Sequence, residues 1–266
     1  MTKYISLIAV IFLLYACEKK YNPDLAQSSQ NNTSVGSLNG EPNSTITEYP
    51  SGIALNNTHT INLPVDVSKK GTYTITTDTV NNIYFNATGT FNSTGMQTIV
   101  LQGHGTPDTS GVFSLTIKYG ISSRKFFTKV YDWWEFEEKF DTYNGVIDMA
   151  YLGAINMRNT RSLFIKGHSF ITGDTSIDIN VNFDAAIPLN GTYYANSAQT
   201  SFNFMDIPSK SSIYTSVNNN TSSFKVVITN NDIDKKNIDA RFEGSATGMN
   251  GNTTISNGRF RIKIQP

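Results

Sequence analysis

The chain has 266 residues, with 21 basic and 21 acidic side chains, three histidines and one cysteine. A neutral balance without a basic cluster argues against a nucleic-acid partner. A single cysteine excludes an intramolecular disulfide and any metal site built on paired thiolates.

The first sixteen residues read as a secretory signal. Lys3 precedes an apolar run from Ile5 to Leu14, broken only by Ser6. That run is too short for a helix that needs roughly 20 residues to span a bilayer. Leu14-Tyr15-Ala16-Cys17 then gives way to Glu18-Lys19-Lys20. A small residue directly before a lone cysteine resembles a bacterial lipobox, which implies cleavage after Ala16 and acylation of Cys17. More than one acyl chain would anchor the protein stably, where one gives only marginal binding. Loss of 1–16 removes one basic residue and leaves a formal balance of −1.

Residues 17–50 read as the lipidated cysteine and a flexible tether. Asn, Ser, Gln, Pro and Gly dominate Gln27–Thr47, and isolated apolar residues cannot offset the entropy of ordering the segment. Charged residues are only 16% of the chain, Tyr and Phe are frequent, and helix-favouring runs are scarce. The rest is therefore expected to be all-β, held by core packing alone. In 51–131 the runs Thr60–Val65, Gly71–Thr76, Ile83–Asn86, Gly89–Phe91, Gln97–Leu101, Val112–Ile117 and Arg124–Val130 alternate apolar with polar side chains. Asn, Asp and Gly separate them, as turns require. About seven short strands in this length suggest an immunoglobulin-like sandwich, although the Cys…Trp…Cys core of antibody domains is absent. In 132–266 longer strands are expected, among them Trp133–Lys139, Phe224–Thr229, Ile238–Ser245 and Gly258–Ile264. They predict an antiparallel meander closing as a second sandwich or a partly open barrel.

At this point the residues carry a resemblance. Gly71–Asn81, Phe85, Gly89–Leu101, Gly105-Thr106-Pro107 and Gly111-Val112-Phe113 resemble a module of exported lipoproteins of the Bacteroidota. Trp134-Glu135-Phe136, Tyr143-Asn144-Gly145, Gly191-Thr192-Tyr193 and Ile255–Phe260 are similar to the β-rich domain that follows it there. The resemblance implies export and a two-part β architecture, and supplies no catalytic residues. The expected address is the cell envelope, at the outer membrane. Glu18-Lys19-Lys20 stands where surface-displayed members carry an acidic run, so the periplasmic and surface faces both stay open.

Few residues are arranged for chemistry. His59, His104 and His168 have no partner at metal-ligand spacing, and no metal or other cofactor is expected. No Gly-x-Ser-x-Gly elbow is present. Asp132, Glu135, Glu137, Glu138 and Asp141 surround Trp133-Trp134, but paired catalytic carboxylates usually come from different segments, and a solvated edge is the simpler reading. Neighbours in a strand point to opposite faces, so one tryptophan enters a core and the other covers the domain junction or stacks on a sugar. Tyr193 and Tyr194 are a second stacking candidate. Asp78-Thr79-Val80 resembles the O-glycosylation acceptor of exported Bacteroidota proteins, with Thr79 as acceptor. Asn230–Asp234 lacks the glycine and distal glutamate of a calcium loop and reads as a hairpin turn.

The expectation is a non-catalytic cell-envelope lipoprotein. It would meet the membrane through its anchor and present its β domains to a glycan or a partner protein. The alternatives are a structural spacer or adhesin component, and a polysaccharide or lipid hydrolase. An aromatic cleft floored by two carboxylates would favour the hydrolase, and an exposed aromatic patch would favour binding.

Overall fold

A computed structural model describes residues 33–44, 48–154, 160–170, 173–216, 222–249 and 251–264. These residues form strands joined by turns, with one short 3-10 turn at Ala195–Ser197. The protein is all-β.

The first sheet contains β1 (Val35–Leu38), β2 (Asn43–Ser44), β3 (Glu48–Pro50), β4 (Thr60–Lys69), β5 (Gly71–Thr77), β6 (Ile83–Phe91), β7 (Gly95–Gly105), β8 (Gly111–Tyr119) and β9 (Ser122–Tyr131). Its order is β1-β4-β7-β6-β5-β8-β9-β3, with β2 also on β4. All pairings between these strands are antiparallel except β3 on β9. The expected sandwich is here one continuous sheet bent into a half-barrel. Only two residue pairs, Thr76↔Lys118 and Thr77↔Ile117, join its two parts. So short a seam lets the sheet fold sharply and bring both inner faces onto one core. That core holds Ile61, Leu63, Val65, Ile75, Phe85, Leu101, Leu115 and Ile117, the inward set of each alternating strand.

Part of the segment 17–50, expected to be a flexible tether, is strand in the first sheet. β1 pairs with β4 and β3 pairs with β9. Leu38 and Tyr49 are buried, and the Tyr49 ring lies 6.1 Å from Phe85 and 5.2 Å from His59. Strand addition to an existing edge uses backbone hydrogen bonds and one anchoring side chain, so it needs no amphipathic pattern of its own. Residues 1–32, including Cys17, lie outside the described residues.

The second sheet contains β10 (Trp133–Glu138), β11 (Asp141–Ala154), β12 (Arg161–Ser169), β13 (Thr175–Phe183), β14 (Gly191–Tyr194), β15 (Thr200–Asp206), β16 (Ser211–Ser216), β17 (Lys225–Asp232), β18 (Asn237–Gly248) and β19 (Gly251–Lys263). The expected sandwich or partly open barrel is a closed barrel. β18 pairs along its length with β19, and its last residues, Thr247 and Gly248, pair with β16. The ring β18-β16-β15-β13-β12-β11-β10-β19 therefore closes with eight strands, and β17 and β14 branch from the first half of β18. Eight strands leave an interior that side chains can just fill. Trp134, Phe136, Phe202, Phe204, Phe242 and Phe260 fill it, with Phe136 in edge contact with Phe202 and Phe204 at 5.5 and 5.2 Å. The Trp134 ring lies over two glycines on neighbouring strands. A Cβ on Gly145 would stand 2.7 Å from that ring, and one on Gly167 2.8 Å from its nitrogen.

Candidate functional site

The two sheets meet at Asp132, the single residue between β9 and β10. Its carboxylate accepts from the Lys263 backbone N–H at 2.8 Å, from Ser51 Oγ at 3.3 Å, and from Ser110. Burial pushes its pKa above the ordinary carboxylate value, against these hydrogen bonds and the nearby Arg261 charge. The Trp133 indole N–H donates to the Ser51 carbonyl at 2.9 Å. Arg261 makes two bonds to the Asp239 carboxylate at 2.7 and 2.9 Å, and another to the Asp108 carbonyl at 3.0 Å. Asn237 Nδ2 reaches that same carbonyl at 2.8 Å. Lys235 pairs with the Asp108 carboxylate at 3.2 Å. Two turns of the first sheet thus hold the barrel: the one at Ser51 is bonded to Asp132 and to Trp133 of β10, and the one at Asp108 to β18 and β19.

This junction forms one wall of an open cleft of about 470 Å³. Val112, Lys129 and Tyr131 line it from the first sheet, and Val146, Asp148 and Lys263 from the barrel. Tyr131 meets Phe170 edge-to-face at 5.2 Å. Asp148 pairs with His168 at 2.8 Å. Asp132 also borders the cleft, but both of its oxygens hold the junction together.

Trp133 and Trp134 point to opposite faces of β10. Trp134 is fully buried and donates to the Val146 carbonyl at 3.2 Å. Trp133 is half-buried on the outer face, with Arg259 5.2 Å from its ring centroid. Glu135 and Glu137 share that outer face and pair with Arg259 and with Asn257 Nδ2. Glu138 departs from the solvated-edge reading. It is 3% exposed and accepts from Thr253 Oγ1 and from Tyr214 OH. The hydrogen bond from Thr253 holds its pKa below the ordinary value, aided by Lys139 and Tyr214. The contribution of a depressed carboxyl is present above the unfolded pKa of about 4.3 and is lost as pH falls through the folded value. Glu138→Gln should therefore cost about 1–2 kcal/mol at pH 7 and flatten the acid limb of a pH–stability curve. Urea titrations at neutral and acidic pH will check this; parallel curves for parent and variant would remove Glu138 from the account.

The other sequence candidates do not converge on this cleft. Tyr193 is buried on β14 and donates to the Leu189 carbonyl at 2.8 Å, whereas Tyr194 is 44% exposed. β17, β18 and β19 separate them from Trp133, so the two aromatic pairs are not one platform. Thr79 is exposed in the turn after β5. The preceding Asp78 exchanges backbone and side-chain bonds with Thr116 at 3.0 and 2.6 Å. Residues 230–236 make the β17–β18 hairpin, where Asp232 accepts from the Lys235 N–H at 3.1 Å. Among the described residues no three His, Cys, Asp or Glu side chains cluster as a metal site would require.

No known protein family, curated protein or solved structure matches this chain.

Proposed function

We propose that this is a non-catalytic lipoprotein of the bacterial cell envelope, held by acylated Cys17 at the outer membrane. It presents two β modules and binds a glycan or a partner protein. The bonded junction is the observation that carries this reading. It holds two cores in fixed relation and leaves between them a cleft with apolar, aromatic and cationic walls, the usual setting for a binding site. The strand order supports an immunoglobulin-like first module. With β1 and β4–β9 taken as strands A–G, β1-β4-β7-β6 follows the A-B-E-D sheet and β5-β8-β9 the C-F-G sheet.

One observation favours the hydrolase alternative: Asp132 and Asp148 border the same cleft. Against it, Asp132 gives its oxygens to a backbone N–H and to serine hydroxyls, which leaves Asp148 alone of the two to meet a substrate, where glycoside hydrolysis needs a pair. A single experiment separates the readings. Full-length Cys17→Ser protein should leave the membrane fraction. On a glycan array it should bind a subset of glycans without cleaving them. Release of reducing ends, abolished by Asp148→Asn, would replace the binding reading with the hydrolase. Binding to no glycan and to no envelope protein would leave the spacer.

A further inference from the structure

We infer that the outer face of β8 and β9 is a track for a linear acidic polysaccharide, leading into the junction cleft. The inference rests on the binding reading above and names its ligand class. Between Thr109 and Tyr131 the chain carries Lys118, Arg124, Lys125 and Lys129 and no acidic residue. On β9 the outward positions run Lys125, Phe127, Lys129, Tyr131, while Phe126, Thr128 and Val130 face inward and are buried. Alternate residues of a strand stand about 7 Å apart, so this row extends for about 20 Å. Phe127 is 66% exposed and Val112, opposite Lys129, is 70% exposed. Lys129 and Tyr131 are also cleft residues, so the row and the cleft are continuous.

The charges on this row are available. Lys125 makes no ion pair among the described residues, and Lys129 has only a 3.5 Å exposed pair with Glu48; Lys118, likewise without an ion pair there, stands beside the row on β8. Such a pair contributes little and is easily exchanged for another anion. The strand beside the row offers Ser114 and Thr116 opposite Phe127 and Lys125. Ser114 Oγ is buried without a hydrogen-bond partner among the described residues.

Cations spaced by aromatic rings along one extended line fit a chain that alternates carboxylate or sulfate groups with the apolar C–H faces of sugar rings. A membrane surface would call for a plane of such residues. Here the neighbouring row, on β8, runs Val112, Ser114, Thr116, Lys118, with small hydroxyls at its two middle positions.

The test uses the full chain in detergent, with polygalacturonate, dextran sulfate and neutral dextran as probes. Both acidic polymers should bind at least about tenfold more tightly than dextran at low salt, and about 0.5 M salt should abolish the difference. Lys125→Gln with Lys129→Gln should weaken binding about fivefold or more, and Phe127→Ala about threefold, at unchanged melting temperature. Lys166→Gln, on the barrel, should bind as the parent does. Equal binding of dextran and dextran sulfate overturns the inference, as does parental affinity in the double lysine variant. Binding to phosphatidylglycerol vesicles with none to either acidic polymer overturns it in favour of a lipid surface. A neutral glycan bound independently of Lys125 and Lys129 ends this inference but preserves the proposed function. Failure of every carbohydrate, acidic or neutral, and of every envelope protein ends both.

Discussion

Trp134→Ala should cost about 3–5 kcal/mol of folding stability, and Trp133→Ala about 1–2 kcal/mol. The two residues are adjacent and chemically identical, so the difference is a matter of environment alone. Trp134 is fully buried, stacks 5.8 Å from Phe136, meets Phe204 at 5.9 Å and covers Gly145 and Gly167. Those glycines have no side chain to collapse into the space left by a truncated indole. Trp133 loses one hydrogen bond to Ser51 and its contact with Arg259, and water can replace much of both. For a folded unit of this size the gap corresponds to about 5–15 °C in melting temperature. Thermal melts of the two variants decide the point. Equal melting temperatures would mean that the barrel interior does not depend on Trp134 for its packing.

Arg261→Ala should destabilise the protein by about 2–3 kcal/mol and split its unfolding into two transitions. The Arg261 side chain is only 19% exposed and that of its partner Asp239 29%, so this is a partly buried pair. Breaking a fully buried pair costs about 3–5 kcal/mol because the remaining charge stays desolvated, and partial exposure lowers that figure. Arg261 also bonds the Asp108 carbonyl and packs against Gly52, where an added Cβ would stand 2.7 Å from its stem. Its loss removes one of the strongest links between the half-barrel and the barrel. Calorimetry on the parent should give one cooperative transition, and on the variant an earlier and a later one. Arg261→Met keeps the apolar stem without the charge, and should recover part of the loss. A single transition at parental temperature in both variants would show that the other contacts at Ser51 and Asn237 hold the junction unaided.

Alternation along the chain made the inner faces readable before any tertiary information. Ile61-Leu63-Val65, Phe113-Leu115-Ile117 and Phe260-Ile262-Ile264 share faces in the sequence, and Leu63, Leu115 and Ile262 are fully buried. The same rule put Trp134 with Phe136, and both are core residues. It also put Glu138 on that face, but it could not signal that a carboxylate is buried there. Its burial depends on Thr253 and Tyr214 arriving from β19 and β16. The Lys125–Tyr131 row was equally hard to weigh, since an exposed polar–aromatic alternation looks the same whether or not a cleft lies at its end.

Side-chain period is a local property, so composition and alternation were enough to settle an all-β chain and to say which way most strand residues point. Closure of the barrel belongs to the tertiary structure. Backbone donors and acceptors are chemically alike on every strand, so nothing in β18 names β19 and β16 as its neighbours until turn lengths, bulges and packing have excluded the rest. The docking of β1 and β3 follows the same logic. Their segments look disordered by composition, and become ordered because the edges of β4 and β9 offer them unpaired backbone groups. The junction is the furthest removed from the sequence. Ser51, Asp108, Asp132, Asn237 and Arg261 span more than two hundred positions, and only the folded chain brings their charges and amides into one network.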